Sequence, residues 1–178
     1  MEILNYTNTS DVDIRQLFVD VFTASEGAAE GEIIGGLVSD LMTKTPSSEL
    51  YGFAAVDNGK VIGGIFFSKF SLSSGANAFI LSPAAVATDR QAEGIGQQLI
   101  NHGIDCLKAD NVELLLTYGD PAYYAKTGFQ QIGEDLIKAP YPLSQPVGWL
   151  CQSLNDEQIV SVDGATACVE ALSNPDYW

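Results

Sequence analysis

Six consecutive residues, Gln91, Ala92, Glu93, Gly94, Ile95 and Gly96, carry the clearest chemistry in this chain. They stand between an extended apolar run at residues 78–87 and a helix-like segment at residues 95–107. A turn that opens into a helix presents N–H groups with no intrahelical partner, and the helix dipole adds positive potential there. The product is an anion site suited to phosphate. Gly94 and Gly96 lack a Cβ, so backbone can approach a ligand closely and φ can turn positive. Taken alone, the two glycines also fit a plain strand-to-helix turn. No Gly-Lys-Ser/Thr follows them and no strand–helix repetition precedes them, which speaks against a nucleotide-binding α/β protein. Ser82 has no His–Asp constellation to activate it. The single histidine, His102, shares a helical face with Ile95, Leu99 and Cys106 and reads as a packed residue. That pattern does not support nucleophilic catalysis.

The wider context adds a resemblance. Residues 83–100, PAAVATDRQAEGIGQQLI, resemble motif A of the GNAT superfamily of acyl-CoA-dependent N-acetyltransferases. Its signature, Gln/Arg-x-x-Gly-x-Gly/Ala between a strand and a helix, is matched by Gln91, Gly94 and Gly96. Residues 119–129, GDPAYYAKTGF, resemble the second half of that fold, where a tyrosine stands four residues before a Gly-Phe pair, as Tyr124 does here. The GDPAYY wording is similar to the YhbS-like subgroup of predicted acetyltransferases.

The resemblance implies a set of roles. The backbone amides of Gln91, Ala92, Glu93, Gly94, Ile95, Gly96 and Gln97 would face the pyrophosphate of acetyl-CoA. Ala85, Val86 and Ala87 would pair through their backbone with the pantetheine arm, and the Val86 N–H would donate to the thioester carbonyl. Tyr124 would be the general acid, since a phenol of pKa near 10 is protonated at neutral pH and can donate to a leaving thiolate. The implied reaction is direct transfer of acetyl from acetyl-CoA to a primary amine of a small molecule or peptide, in a ternary complex. A non-catalytic acyl-CoA-binding regulatory module is the alternative. Two departures matter. Thr117, Tyr118, Gly119 and Asp120 stand where many members carry Asn, and Glu93 places a carboxylate beside the phosphate site. No general base is placed. Family members often use a carboxylate on a central strand, but residues 80–82 offer none, which leaves Glu26, Asp57 and ordered water.

These residues need elements to hold them. The pattern predicts a strand at 3–6 and a helix capped by Ser10 running to about Ser25, with Ile14, Leu17, Phe18, Val21 and Phe22 on its apolar face. A second helix runs to about Thr43. Residues 53–67 read as a hairpin whose Asn58–Gly59 suits a type I′ turn. The strand at 79–87 contains Pro83, which cannot donate to a ladder, so an interruption or bulge is expected there. A helix to about 107 follows, then a strand at 112–117. A short helix capped by Asp120–Pro121 carries Tyr124 and ends at Gly128; strands are expected at 129–132 and 147–154. Together with the resemblance this gives a mixed α/β, GNAT-like fold. Its central, mostly antiparallel sheet has about seven strands, is flanked by helices and is splayed at the cofactor site. Residues 1–178 read as one domain, with the tail beyond 154 unassigned.

Composition sets the bounds. At 178 residues, 46% hydrophobic and 17% charged, the chain is of globular type. A net charge of −15 argues against nucleic acid or an anionic membrane as partner and permits a cationic amine. With only eight Lys and Arg, a polyanionic cofactor must be held mainly by backbone amides. The resemblance implies that the two N-terminal helices wall the acceptor site, where Glu26, Glu30 and Glu32 could meet a cationic substrate; a solvated turn is the other reading. Three cysteines without metal-ligand spacing fit reduced thiols in a cytoplasm. No signal peptide or membrane-spanning run is visible, and a homodimer, common in the family, is left open.

Overall fold

The computed structural model describes residues 1–178. The strands are β1 (Glu2–Asn5), β2 (Leu50–Asp57), β3 (Lys60–Ser71), β4 (Ala78–Val86), β5 (Leu114–Tyr118), β6 (Gln130–Gln131), β7 (Trp149–Ser153) and β8 (Ala167–Cys168). The helices are α1 (Asp11–Glu26), α2 (Ala28–Lys44), α3 (Ile95–Ala109) and α4 (Pro121–Tyr124). Hydrogen bonding links the strands in the order β1-β2-β3-β4-β5-β7-β6, with β8 pairing with β3. The count is eight rather than seven because the two-residue β8 joins Phe70 and Ser71; so short a strand leaves no periodic signal. The β4–β5 ladder is parallel, whereas β1–β2, β5–β7, β6–β7 and β3–β8 are antiparallel.

The chain divides into two compact units, residues 1–67 with 83–103, and residues 68–82 with 104–178. In the first, Ser10 caps α1 by accepting from the Asp13 N–H at 3.3 Å, and Gly27 breaks the chain between α1 and α2 at φ 101°. The β2–β3 turn is as expected, with positive φ at both Asn58 (50°) and Gly59 (76°). Consecutive strand residues face opposite sides of a sheet. Gly63 and Gly64 use this to let two helices settle onto β3. A Cβ on Gly63 would come within 2.9 Å of Leu99 from α3, and one on Gly64 within 2.8 Å of Phe18 from α1. Phe18, with Ile14 and Leu17, is the buried face of α1. Full burial of a phenylalanine contributes about 2–3 kcal/mol before packing terms, so these two bare positions fix the helices that flank the turn.

In the second unit the β4–β5 ladder ends at Leu81↔Thr117, two residues before Pro83. The assigned strand itself continues to Val86, so the disturbance expected at Pro83 takes the form of a ladder that stops. Asp120 caps α4, accepting from Ala122 N–H at 2.9 Å with Pro121 in the first turn, and Gly128 ends the segment at φ 95°. The strand expected at 129–132 shrinks to β6. That expected at 147–154 begins only at Trp149, after a 3-10 turn over Pro146–Gly148. The unassigned tail supplies β8 and ends on Trp178, whose ring is buried against Trp149 (centroids 6.0 Å) and stacked on Tyr118 (6.4 Å, 16°).

Candidate active site

The glycine turn belongs to the first unit. Past Val86 the chain closes onto β3 through Ala87 N–H donating to Ile62 O at 2.9 Å, then winds through a 3-10 turn over Thr88–Arg90. Ala92 and Gly94 both have positive φ, 64° and 79°. The first bond of α3 runs from Gln98 N–H to Gly94 O at 3.0 Å, so the N–H groups of Ile95, Gly96 and Gln97 precede any intrahelical partner. Ile95 is only 3% exposed, which pins the helix start. Gly96 lies inside the first turn of α3, so positive φ is a property of Gly94 alone among the motif's glycines.

Positive φ at Ala92 was not legible. An alanine there costs roughly 1 kcal/mol or more, since its Cβ crowds the following carbonyl, and nothing in its side chain announces the strain. Two groups among the expected residues, the Gln91 side chain and the Ala87 amide, are bonded within the protein. The Gln91 side chain donates from Nε2 to Val86 O at 3.2 Å, so it braces the turn against the strand. The Ala87 amide is spent on Ile62.

The carboxylate of Glu93 is also not bare. Arg90 Nε donates to its two oxygens at 3.0 and 3.2 Å, and Arg90 Nη1 donates to Asp57 Oδ2 at 3.0 Å. The amino group of Met1 lies 3.6 Å from Asp57 Oδ1. The Arg90 hydrogen bond, with the nearby amino group, holds the Asp57 carboxyl below its ordinary range. An acid so held ionised by a guanidinium is a poor proton acceptor, which weakens Asp57 as a base candidate. Glu32, expected near a cationic acceptor, is instead paired with Arg15 at 2.7 Å.

A cleft of about 620 Å³ opens in the same unit. Asp13, Gln16 and Asp20 of α1, Lys60 of β3, and Ala87 with Asp89 line it. Sequence reading missed this grouping, because its acids come from distant segments. The only available signal was Asp13 and Asp20 seven residues apart on one helical face.

Tyr124 belongs to the second unit, at the end of α4. Its backbone is tied by Thr127 Oγ1 and Phe129 N–H donating to its carbonyl at 3.0 and 3.3 Å. Its ring meets Tyr123 (5.2 Å, 86°) and Phe129 (5.5 Å, 71°) edge-on and passes over Gly119, where a Cβ would come within 2.6 Å. Burial pushes the phenol up to about 12, and a hydrogen bond with Thr117 draws it partly back. Thr117 Oγ1 also donates to Leu81 O at 3.0 Å.

The remaining chemistry-bearing side chains are structural. His102 packs edge-on against Phe53 (4.7 Å). No disulfide joins Cys106, Cys151 or Cys168, and burial pushes Cys151 up to about 12, so it is an inert core residue.

Comparison with known proteins places this geometry. The chain is 28% identical to YjhQ of Escherichia coli K12, named as an uncharacterised N-acetyltransferase, over 92% of this chain and 90% of that one. It is 26% identical to YhbS of the same strain, an uncharacterised N-acetyltransferase, over 66% and 68%. The solved structure of E. coli YhbS in complex with CoA superposes with a TM-score of 0.73 at 24% identity, covering 97% of this chain and 92% of that one. A GNAT family acetyltransferase of Brucella melitensis in complex with acetyl-CoA gives 0.71 at 24% identity, covering 97% of each. At that identity the structures share a fold. The Acetyltransferase (GNAT) family matches residues 12–129, which include both the glycine turn and Tyr124, and the chain belongs to that family.

Proposed function

We propose that residues 1–178 act as one N-acyltransferase domain that moves an acetyl group from acetyl-CoA to a primary amine by direct attack in a ternary complex. The observation that carries this reading is the helix start after Gly94, whose Ile95, Gly96 and Gln97 amides precede any intrahelical partner. With so few cations in the chain, those amides and the dipole of α3 are the means of holding a diphosphate. The small side chains of Ala84 and Ala85 fit a slender pantetheine arm. Bound acetyl-CoA supplies the thioester, and YhbS and the Brucella protein, of the same fold, were solved with CoA and acetyl-CoA.

In this reading the amine nitrogen attacks the thioester carbonyl carbon and the carbon–sulfur bond breaks. The Val86 N–H donates to the carbonyl oxygen, and the thiolate takes the proton of Tyr124. The Thr117 hydrogen bond, which lowers the phenol, eases that loss. A cationic amine first gives a proton to water, since Asp57 is occupied by Arg90, and the second proton, shed after attack, returns through water to the Tyr124 phenolate. The acceptor is a small molecule or peptide bearing a cationic amine, and the Asp13, Asp20 and Asp89 carboxylates of the cleft suit its charge. No helix is long and apolar enough to cross a membrane. The three cysteines form no disulfide, which fits a reducing cytoplasm.

The test is a panel of amines assayed for release of free CoA. Release with cationic amines supports the transferase. Tight acetyl-CoA binding with no release across the panel would leave an acyl-CoA-binding module instead.

A further inference from the structure

We propose that Arg90 is a phosphate-binding residue of the cofactor turn and that Glu93 holds its place until the cofactor arrives. Binding is then an exchange of one anion for another on the same guanidinium. This deepens, and rests on, the reading of the turn as the cofactor site.

The two carboxylates on Arg90 are not equivalent. Asp57 ends strand β2 and its side chain is 25% exposed; Glu93 lies in the open turn with its side chain 47% exposed. An exposed pair three residues apart contributes little, so the Glu93 contact is the exchangeable one, while Asp57 fixes the guanidinium in place. A guanidinium offers planar, paired N–H donors that suit phosphate as well as carboxylate. It is also the only Lys or Arg between residues 70 and 107. A diphosphate on the Ile95, Gly96 and Gln97 amides brings negative charge beside Glu93, which disfavours the carboxylate's position. Released, Glu93 leaves Nε of Arg90 to a phosphate oxygen, and the guanidinium regains its second anion. The carboxylate that looked like a defect in the motif thereby acts as a stand-in ligand, keeping Arg90 from another partner while the site is empty.

Calorimetry with CoA and with pantetheine, which carries no phosphate, tests this on the whole protein. Glu93→Gln is expected to tighten CoA binding about threefold and leave pantetheine unchanged. Arg90→Gln is expected to weaken CoA about tenfold and to erase the gain of Glu93→Gln in the double variant. Arg90→Lys, retaining the charge without the fork, should fall between. If Glu93→Gln leaves CoA affinity unchanged or lowers it, the exchange is overturned. The same holds if Arg90→Gln shifts CoA and pantetheine equally, because Arg90 then only braces the turn. Should Arg90→Gln fail to fold by circular dichroism, the Glu93→Gln result decides alone. A wild-type protein that binds CoA no better than pantetheine overturns the turn reading itself, and this inference with it.

Discussion

The glycine turn and Tyr124 solve their chemical problems in opposite ways. The turn works through backbone: its amides exist whatever the side chains are, and what matters is that φ at Ala92 and Gly94 lets the chain aim them. Tyr124 works through one oxygen, whose proton is held by burial and partly loosened by a threonine on a neighbouring strand. A backbone site should therefore fail on conformational change, its side chains other than Arg90 and Glu93 being replaceable. A side-chain site should fail when a single atom is lost while the fold stands.

Removing that atom is the sharpest way to separate the two. Tyr124→Phe should lower the turnover of CoA release by roughly 10²–10⁴-fold, the usual range for a lost general acid, with acetyl-CoA affinity unchanged by calorimetry. Equal loss of affinity would mean the phenol binds rather than protonates.

The converse change acts on backbone. Gly94→Ala meets open space, its nearest neighbour being Gln98 Nε2 at 3.9 Å, so any effect comes from φ alone. We expect acetyl-CoA affinity to fall about tenfold and stability by about 1 kcal/mol. Affinity measured by calorimetry and Tm by thermal melting should fall together. Full affinity in a variant that keeps its Tm would break the contrast.

The pH response isolates the Thr117 contribution. The Tyr124 phenol is raised from 10 to about 12, so the folded chain keeps a proton that the unfolded chain releases. That stabilisation is intact below pH 10 and is lost as pH rises from 10 toward 12. Thr117→Val removes the hydrogen bond that lowers the phenol and should move the alkaline transition to higher pH, whereas Thr117→Ser should leave it in place. Ultraviolet titration of each protein against its Tyr124→Phe counterpart reads this residue apart from the other tyrosines. A Thr117→Val transition at lower pH would show the threonine to accept from the phenol instead.

The smallest effect belongs to Ala92. Ala92→Gly relieves the strain at φ 64° but adds freedom to the unfolded chain, so a net gain of only about 0.5 kcal/mol is expected in thermal unfolding, with cofactor affinity held. A loss of stability would show that the Ala92 methyl packs productively.

What could be read before any coordinates were the features that a few consecutive residues decide. The Asn58–Gly59 turn, the Ser10 and Asp120–Pro121 caps, the Gly128 stop and the Gly94 bend each depend on local φ, ψ and one side-chain oxygen, and each appears where expected. Tertiary structure alone decided the rest. The β8 pairing with β3, the Asp57–Arg90–Glu93 clamp, the Thr117 bond to Leu81 and the grouping of Asp13, Asp20 and Asp89 all join segments far apart in the chain. Their partners are selected by burial and by which strands meet, and neither quantity is encoded in any short window of residues. The turn could be named from its glycines, but whether Glu93 opposes the cofactor or waits for it depends on an arginine that only the fold could anchor.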